Sequence, residues 1–284
     1  MSPDQIAQCA QAAMLFELSS GPKPGNVDRC HDFVDATFQQ FLISAVASYP
    51  IFRKAAFGEG RIGQLLLEAV KSWKFWKIPG NTHFGSLILM IPLAMAAGRA
   101  KELSSRLIPE LSAVLKESSV DDAIDFYAAF ELANARVAEV GEFSLKDVKS
   151  PQKIQEQDKT LLQLMSLSQG HDQIAREWSG DYQRSFQLAD RLAAAIKIHG
   201  LNAGVIRIYL EALSEEPDSL VLAKFGLAKA EEVVLRSKKA FDEGTLEAIR
   251  KLDVEFLEED VNPGTTADLI AASLFICLLK GCRF

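Results

Sequence analysis

Cysteine is scarce: Cys9, Cys30, Cys277 and Cys282 are the only four in 284 residues, too few for a disulfide framework. None forms a CxxC pair, which argues against a zinc site, and reduced thiols in a cytoplasmic protein are expected. Cationic excess is also missing. Lys and Arg number 31 against 38 Asp and Glu, a net charge of -7, and non-specific nucleic-acid binding needs the opposite balance. Long apolar runs are absent: the longest, Leu87 to Ala97 and Leu269 to Leu279, fall short of the roughly 18 residues that span a bilayer. The opening MSPDQIAQ has neither a basic nor an apolar region, so no signal peptide is expected. Hydrophobic residues at 48% and charged residues at 24% exclude global disorder.

Strand-like alternation is lacking too, and no repeat or flexible linker interrupts the chain. What remains is helical periodicity. Ser2-Pro3-Asp4-Gln5 opens a first helix with a cap, a proline at its first position and a capping-box Gln, and Ser19-Ser20-Gly21-Pro22 closes it. Further helices are expected from about Asp32 to Pro50, Ile62 to Ile78, Thr82 to Lys101 with a kink at Pro92, and Pro109 to Lys116. Then come about Asp121 to Ala133 behind a Ser119 cap, Ser150 to Gly170, and His171 to His199 with a break at Ser179-Gly180. Val205 to Leu213, Ser219 to Asp242, Thr245 to Glu259 and a helix capped by Thr265 or Thr266 and ending near Lys280 complete the chain. The expectation is an all-α fold, a single compact domain over 1–284 with about ten to twelve helices.

Helical proteins place chemistry in loops and at helix ends, where backbone groups are free. Three loops stand out. In Gly21-Pro22-Lys23-Pro24-Gly25-Asn26-Val27-Asp28-Arg29 two prolines stiffen the backbone, glycines permit close approach to a ligand, and Lys23 and Arg29 supply cations. A helix directly behind it would favour an anion such as phosphate; a rigid interhelical turn with solvated charges is the plainer alternative. A helix starting near Asp28 would place Asp28, Asp32 and Asp35 on one face beside His31, where Mg²⁺ would relieve their repulsion; simple capping by Asp28 or Asp32 competes with that. The second loop, Pro79-Gly80-Asn81-Thr82-His83-Phe84-Gly85, feeds an apolar helix whose polar mouth needs partners. The third, Asn262-Pro263-Gly264-Thr265-Thr266-Ala267-Asp268, does the same, with Asp268 in a first turn where a carboxylate suits the helix dipole.

Two other charged sets carry less. Asp121-Asp122-Ala123-Ile124-Asp125 spells DDxxD, but the second acidic motif that a diphosphate enzyme would need is missing, so a helix N-terminus is expected there. Asp172 and Arg176 have the spacing of a surface ion pair, and Trp178 beside them is a candidate pocket wall.

Together the three loops resemble the triphosphoribosyl-dephospho-coenzyme A synthase family. Ser20 to Arg29 with His31-Asp32-Phe33, Asn81 to Gly85, and Asn262 to Leu269 carry the resemblance, in order and across nearly the whole chain. It implies an all-α enzyme in which ATP donates its triphosphoribosyl group to a hydroxyl of dephospho-coenzyme A and adenine leaves, giving the precursor of a prosthetic group. The chain departs from the family where Phe84 replaces a usual lysine, and where Ala133 to Val137 and His171 to Trp178 replace Gly/Arg-rich segments. It looks like a divergent branch found in tetrahydromethanopterin-using microbes.

The resemblance implies ATP as substrate with Mg²⁺. Lys23 and Arg29 would contact phosphate and Asn26 would position it, with Gly25, Asn81, Thr82, Gly85, Gly264 and Thr265 completing the nucleotide site. Asp28, Asp32 and Asp268 would hold Mg²⁺ or act as bases, and His31 or His83 would move protons. The partner is a small phosphorylated nucleotide or cofactor precursor, with no nucleic acid and no membrane. Alternatives are a related pentosyltransferase in pterin-type cofactor biosynthesis, a helical Mg²⁺-dependent phosphoester or diphosphate enzyme, and a non-catalytic helical nucleotide-binding protein. A functional Lys23 should be partly exposed, and residues 23–32, 81–85 and 262–268 should line one cleft.

Overall fold

A computed structural model describes residues 1–33, 36–78, 81–100, 102–135, 143–145 and 147–284. Asp35, Pro79, Gly80 and the residues between Ala135 and Phe143 lie outside the described residues. Among those described the fold is all-α. Its 15 helices are α1 Pro3–Ser19, α2 Phe38–Phe57, α3 Ile62–Phe75, α4 Phe84–Arg99, α5 Leu103–Lys116, α6 Val120–Ala133, α7 Ser150–Glu156, α8 Leu161–Ser168, α9 Gln173–Ser179, α10 Gln183–His199, α11 Leu201–Glu215, α12 Ser219–Phe225, α13 Leu227–Glu243, α14 Leu246–Glu258 and α15 Gly264–Leu279. None is long and apolar enough to cross a membrane.

The count exceeds ten to twelve because expected long helices are split. Asp158, at φ +52°, separates α7 from α8, and Gly226, at φ +83°, separates α12 from α13. The break at Ser179-Gly180 is present, with Asp181 and Tyr182 both at positive φ. Prolines act differently from expectation: α2 runs through Pro50, and Pro109 sits inside α5 instead of opening it.

Pro92 lies within α4, which buries every residue from Phe84 to Ala97. A proline cannot donate to the carbonyl four residues back, so Ile88 O needs another donor. Trp178 Nε1 supplies one at 3.3 Å, and Tyr182 Oη donates to Leu89 O at 3.1 Å. Both side chains are fully buried. Trp178 therefore secures the core helix and is not a wall of the pocket described below.

The helix α15 is equally apolar and packs against α1, α4 and α10. Most of the core forms one cluster that runs from Ile6 to Leu279, and Leu18, Val27 and Ala36 form a small second one under the first loop. Neither α4 nor α15 has a side-chain cap from its own N-cap residue, His83 or Pro263. Thr265 and Thr266 thus do not cap α15 as expected. The Thr266 amide and hydroxyl instead donate to Asp218 Oδ2, at 2.7 and 2.8 Å, while Asp218 Oδ1 caps α12. One buried carboxylate ties two helix starts together.

Candidate active site

The N-terminal ends of α4 and α15 converge on the floor of a cavity of about 840 Å³. Gly85 makes the approach possible: a Cβ there would lie 2.1 Å from Asp268 Oδ2. Across the joint, Ser86 Oγ donates to Asp268 Oδ1 at 2.5 Å. Asp268 therefore serves the start of α4, a neighbouring helix. Burial pushes its carboxyl up to about 8; the Ser86 hydroxyl and amide oppose this, and the negative charge of Glu17 adds to it.

Asn26, Asn81, Thr82, His83, Gly85, Gly264, Thr265 and Asp268, all expected from the sequence, line this cavity. The second and third loops thus meet as predicted. Asn26 Nδ2 donates to Asn262 Oδ1 at 2.9 Å and ties the first loop to the third. Asn81 Oδ1 accepts the Phe84 amide. Thr82 Oγ1 and His83 Nε2 are buried without hydrogen-bond partners. The other nitrogen of His83 lies 3.1 Å from Ser44 Oγ, and Phe41 stands edge-on to the ring. Burial, aided by Lys23, drives the His83 imidazole down to about 3, so it is neutral at physiological pH.

The rest of the first loop corrects the sequence expectation. Lys23 is fully buried. Its ammonium donates to the carbonyls of Glu17, Ser20 and Val27 at 3.0, 3.2 and 3.2 Å, and sits 3.2 Å from Glu17 Oε1. No donor is left for a phosphate, and the predicted partial exposure does not hold. Asp28 is equally buried and spends its oxygens on the amides of Lys23 and Cys30. Gly25, at φ +73°, approaches Val261 O, where a Cβ would lie 2.2 Å away, and so serves loop packing. Arg29 donates outward to Asn202.

No helix starts near Asp28. Residues 28–33 and Ala36 lie outside any helix, with isolated bridges Asp28–His31 and Phe33–Ala36, and α2 begins at Phe38 under a Thr37 capping box. Asp32 is exposed and accepts the Phe38 amide at 2.7 Å. His31 pairs with Asp253 at 2.8 Å, away from the cavity lining. The one-face carboxylate cluster proposed for Mg²⁺ is therefore not formed by Asp28 and Asp32, and among the described residues no group of three His, Cys, Asp or Glu side chains could hold a metal.

The secondary motifs resolve structurally. Asp122 completes a capping box with Ser119 and accepts the Gly63 amide, and Arg61 bridges Asp122 and Asp125. Asp172 caps α9 and faces the cavity, while Arg176 pairs with Glu216 and not with Asp172.

Sequence reasoning missed Glu17, Lys159 and Lys224, all cavity-lining. Lys224 donates to Asp260 on the rim. Lys159 makes no ion pair among the described residues and follows the positive-φ turn at Asp158. Aromatic rings also line the cavity: Phe84, at the start of α4, is buried beside Phe126 and Phe130 with centroids 6.1 and 6.0 Å apart.

A cavity lined by both aromatic rings and carboxyl groups suits a small molecule that carries both a ring and polar groups. The chain matches the CitG family, ATP:dephospho-CoA triphosphoribosyl transferase, over residues 3–283, and belongs to it. Its relatives include a protein of Streptococcus equi subsp. equi (strain 4047) named "Probable 2-(5''-triphosphoribosyl)-3'-dephosphocoenzyme-A synthase", 23% identical over 98% of this chain and 97% of the relative. A protein of the same name from Streptococcus pyogenes serotype M5 (strain Manfredo) is 32% identical over 40% of this chain and 44% of its own. Among solved structures, one named for triphosphoribosyl-dephospho-coA synthase from Archaeoglobus fulgidus superposes with a TM-score of 0.72 at 29% identity, covering 85% of this chain and all of that one.

Proposed function

We propose that the protein moves the triphosphoribosyl group of ATP onto a hydroxyl of dephospho-CoA and releases adenine. The C1'–N9 bond breaks, its electron pair leaves with adenine, and a C–O bond forms to the acceptor. The hydroxyl proton offsets the one adenine takes. Asp268 carries the reading: its carboxyl still holds a proton near neutrality and opens onto the cavity, the state required of an acid for the departing base. The proton released as the C–O bond forms restores Asp268.

The neutral His83 ring and the Thr82 hydroxyl orient the ribose through their unpartnered atoms. The Phe84 and Phe126 rings take the adenine ring, and Lys159 meets the triphosphate. Mg²⁺ enters as the counter-ion of ATP, held by its phosphates, since Asp28 and Asp32 are engaged elsewhere. The reaction belongs in the cytoplasm, where its substrates are.

The test is adenine release from Mg-ATP with dephospho-CoA, followed by chromatography with mass detection of the coupled product. Nucleotide binding with no adenine released overturns the reading in favour of a non-catalytic nucleotide-binding protein.

A further inference from the structure

Glu17 occupies a costly place. It lies in the last turn of α1, where the helix dipole disfavours negative charge. Its side chain is only 5% exposed, and it faces the cavity. Asp28, in the loop that follows α1, has its oxygens satisfied by backbone amides, and that accounts for it as a structural group. Glu17 has no such account: Oε1 accepts no hydrogen bond. Its compensation is the Lys23 ammonium at 3.2 Å, whose N–H groups are aimed at three carbonyls. Lys23 thus compensates the Glu17 charge across one ion-pair contact, while its other hydrogen bonds go to backbone carbonyls. Burial, with the Asp28 charge adding to it, leaves the Glu17 carboxyl raised on balance, and Lys23 limits that rise.

We infer that Glu17 is the carboxylate that faces the positively charged sugar ring formed as the glycosidic bond breaks, and that Lys23 is the positioning residue that keeps it charged. The inference rests on the transfer proposed above and adds a residue to it. When the C1'–N9 electron pair leaves with adenine, positive charge spreads over C1' and the ring oxygen. A fixed, dry carboxylate at that point stabilises the charge far more than water would, and a carboxylate already saturated by amides would do so less. No covalent bond to Glu17 is involved, and the charge disappears when the acceptor oxygen bonds to C1'.

The test compares two ring probes in the presence of tripolyphosphate: 1,4-dideoxy-1,4-imino-D-ribitol, cationic at neutral pH, and the uncharged 1,4-anhydro-D-ribitol. Calorimetry on the wild-type protein should show the cation preferred by at least about tenfold, the order of a close charge pair in a partly dry site. Glu17→Gln, close to isosteric, should lose that preference while keeping its affinity for tripolyphosphate. Lys23→Met should lower the preference as well, which a purely structural lysine would not do; if that variant does not fold, Glu17→Gln alone decides. No preference in the wild-type protein, or an equal preference in Glu17→Gln, overturns the inference. Adenine release is followed in parallel: a wild-type protein that prefers the cation yet releases no adenine from ATP defeats the transfer reading and leaves the Glu17 site standing.

Discussion

Ser86 and Asp268 lie 182 positions apart and meet at 2.5 Å, a hydroxyl at the start of α4 donating to a carboxyl at the start of α15. The contact joins the two most apolar helices at the cavity floor and holds a titratable group there. Burial keeps the Asp268 carboxyl protonated to about pH 8. Asp268→Asn keeps the shape and an acceptor for Ser86 but removes the proton that adenine needs. Turnover should fall by at least about a hundredfold, the usual scale for a catalytic acid. The stability effect has the opposite sign. Unfolded, the group ionises near 3.8, and folded near 8, so its contribution is present below pH ~4 and lost as pH rises to ~8. Asp268→Asn should therefore melt higher than wild type above pH ~8 and lose that advantage towards pH ~4. Retained turnover would reduce Asp268 to a helix cap.

Lys23 gives a contrasting outcome. A surface phosphate contact could be removed at little cost to folding, but this ammonium sits among three carbonyls and Glu17 with no exposure. Lys23→Met leaves Glu17 as an unpaired buried charge and should cost about 3–5 kcal/mol in urea unfolding. A loss under about 1 kcal/mol would restore the picture of a solvated surface cation.

Two helix starts with a local cap were legible in the sequence, Ser2 and Ser119, each of which accepts from an amide three residues on, whereas the equally local capping boxes at Thr37 and Thr160 were not read. The loops around Asn81 and Asn262 were legible as polar mouths of apolar helices, and both line the cavity. What was not legible depends on partners far along the chain. Asp218 serves Thr266, Asp268 serves Ser86 and Trp178 serves Ile88, at separations of 48, 182 and 90 residues. The first loop misled for the same reason. Its Lys23 and Asp28 have the composition of an anion site, but the chain folds back over them and consumes both charges internally. Glu17 offered only an acidic residue at the unfavourable end of a helix, a signal that gains meaning once burial is known.

Lys159 tests the electrostatics of the mouth. Glu17, Asp172, Asp260 and Asp268 line the cavity beside only Lys159 and Lys224 among the described residues, and Lys224 is engaged by Asp260. A triphosphate entering past these carboxylates needs the unpaired cation. Lys159→Ala should raise the KM for ATP about tenfold with kcat little changed, the loss of one charge-assisted contact made equally in ground and transition states. The difference should shrink at high salt. A kcat defect without a change in KM would place Lys159 nearer the reacting atoms.

His31 and Asp253 set a pH-dependent clamp on the first loop. Asp253 Oδ2 lies 2.8 Å from His31 Nε2, and Asp253 Oδ1 accepts the Gly25 amide at 2.9 Å, so one carboxylate on α14 fixes two points of residues 23–31. Burial lowers the His31 imidazole, but the Asp253 hydrogen bond and charge, with Asp28 behind them, outweigh it and leave it raised above 6.5. A histidine raised on folding contributes stability that is fully present below its unfolded value of 6.5 and is lost as pH climbs through the folded value. Asp253→Asn can still accept from Gly25 but no longer attracts the imidazolium. It should destabilise the protein by on the order of 1 kcal/mol more at pH ~5.5 than at pH ~8.5, read from urea midpoints at both. The mild-acid deficit should vanish in His31→Ala, where Asp253→Asn then has no cation to release. An equal deficit at the two pH values would show that Asp253 acts only through the Gly25 amide and that the imidazole is a bystander.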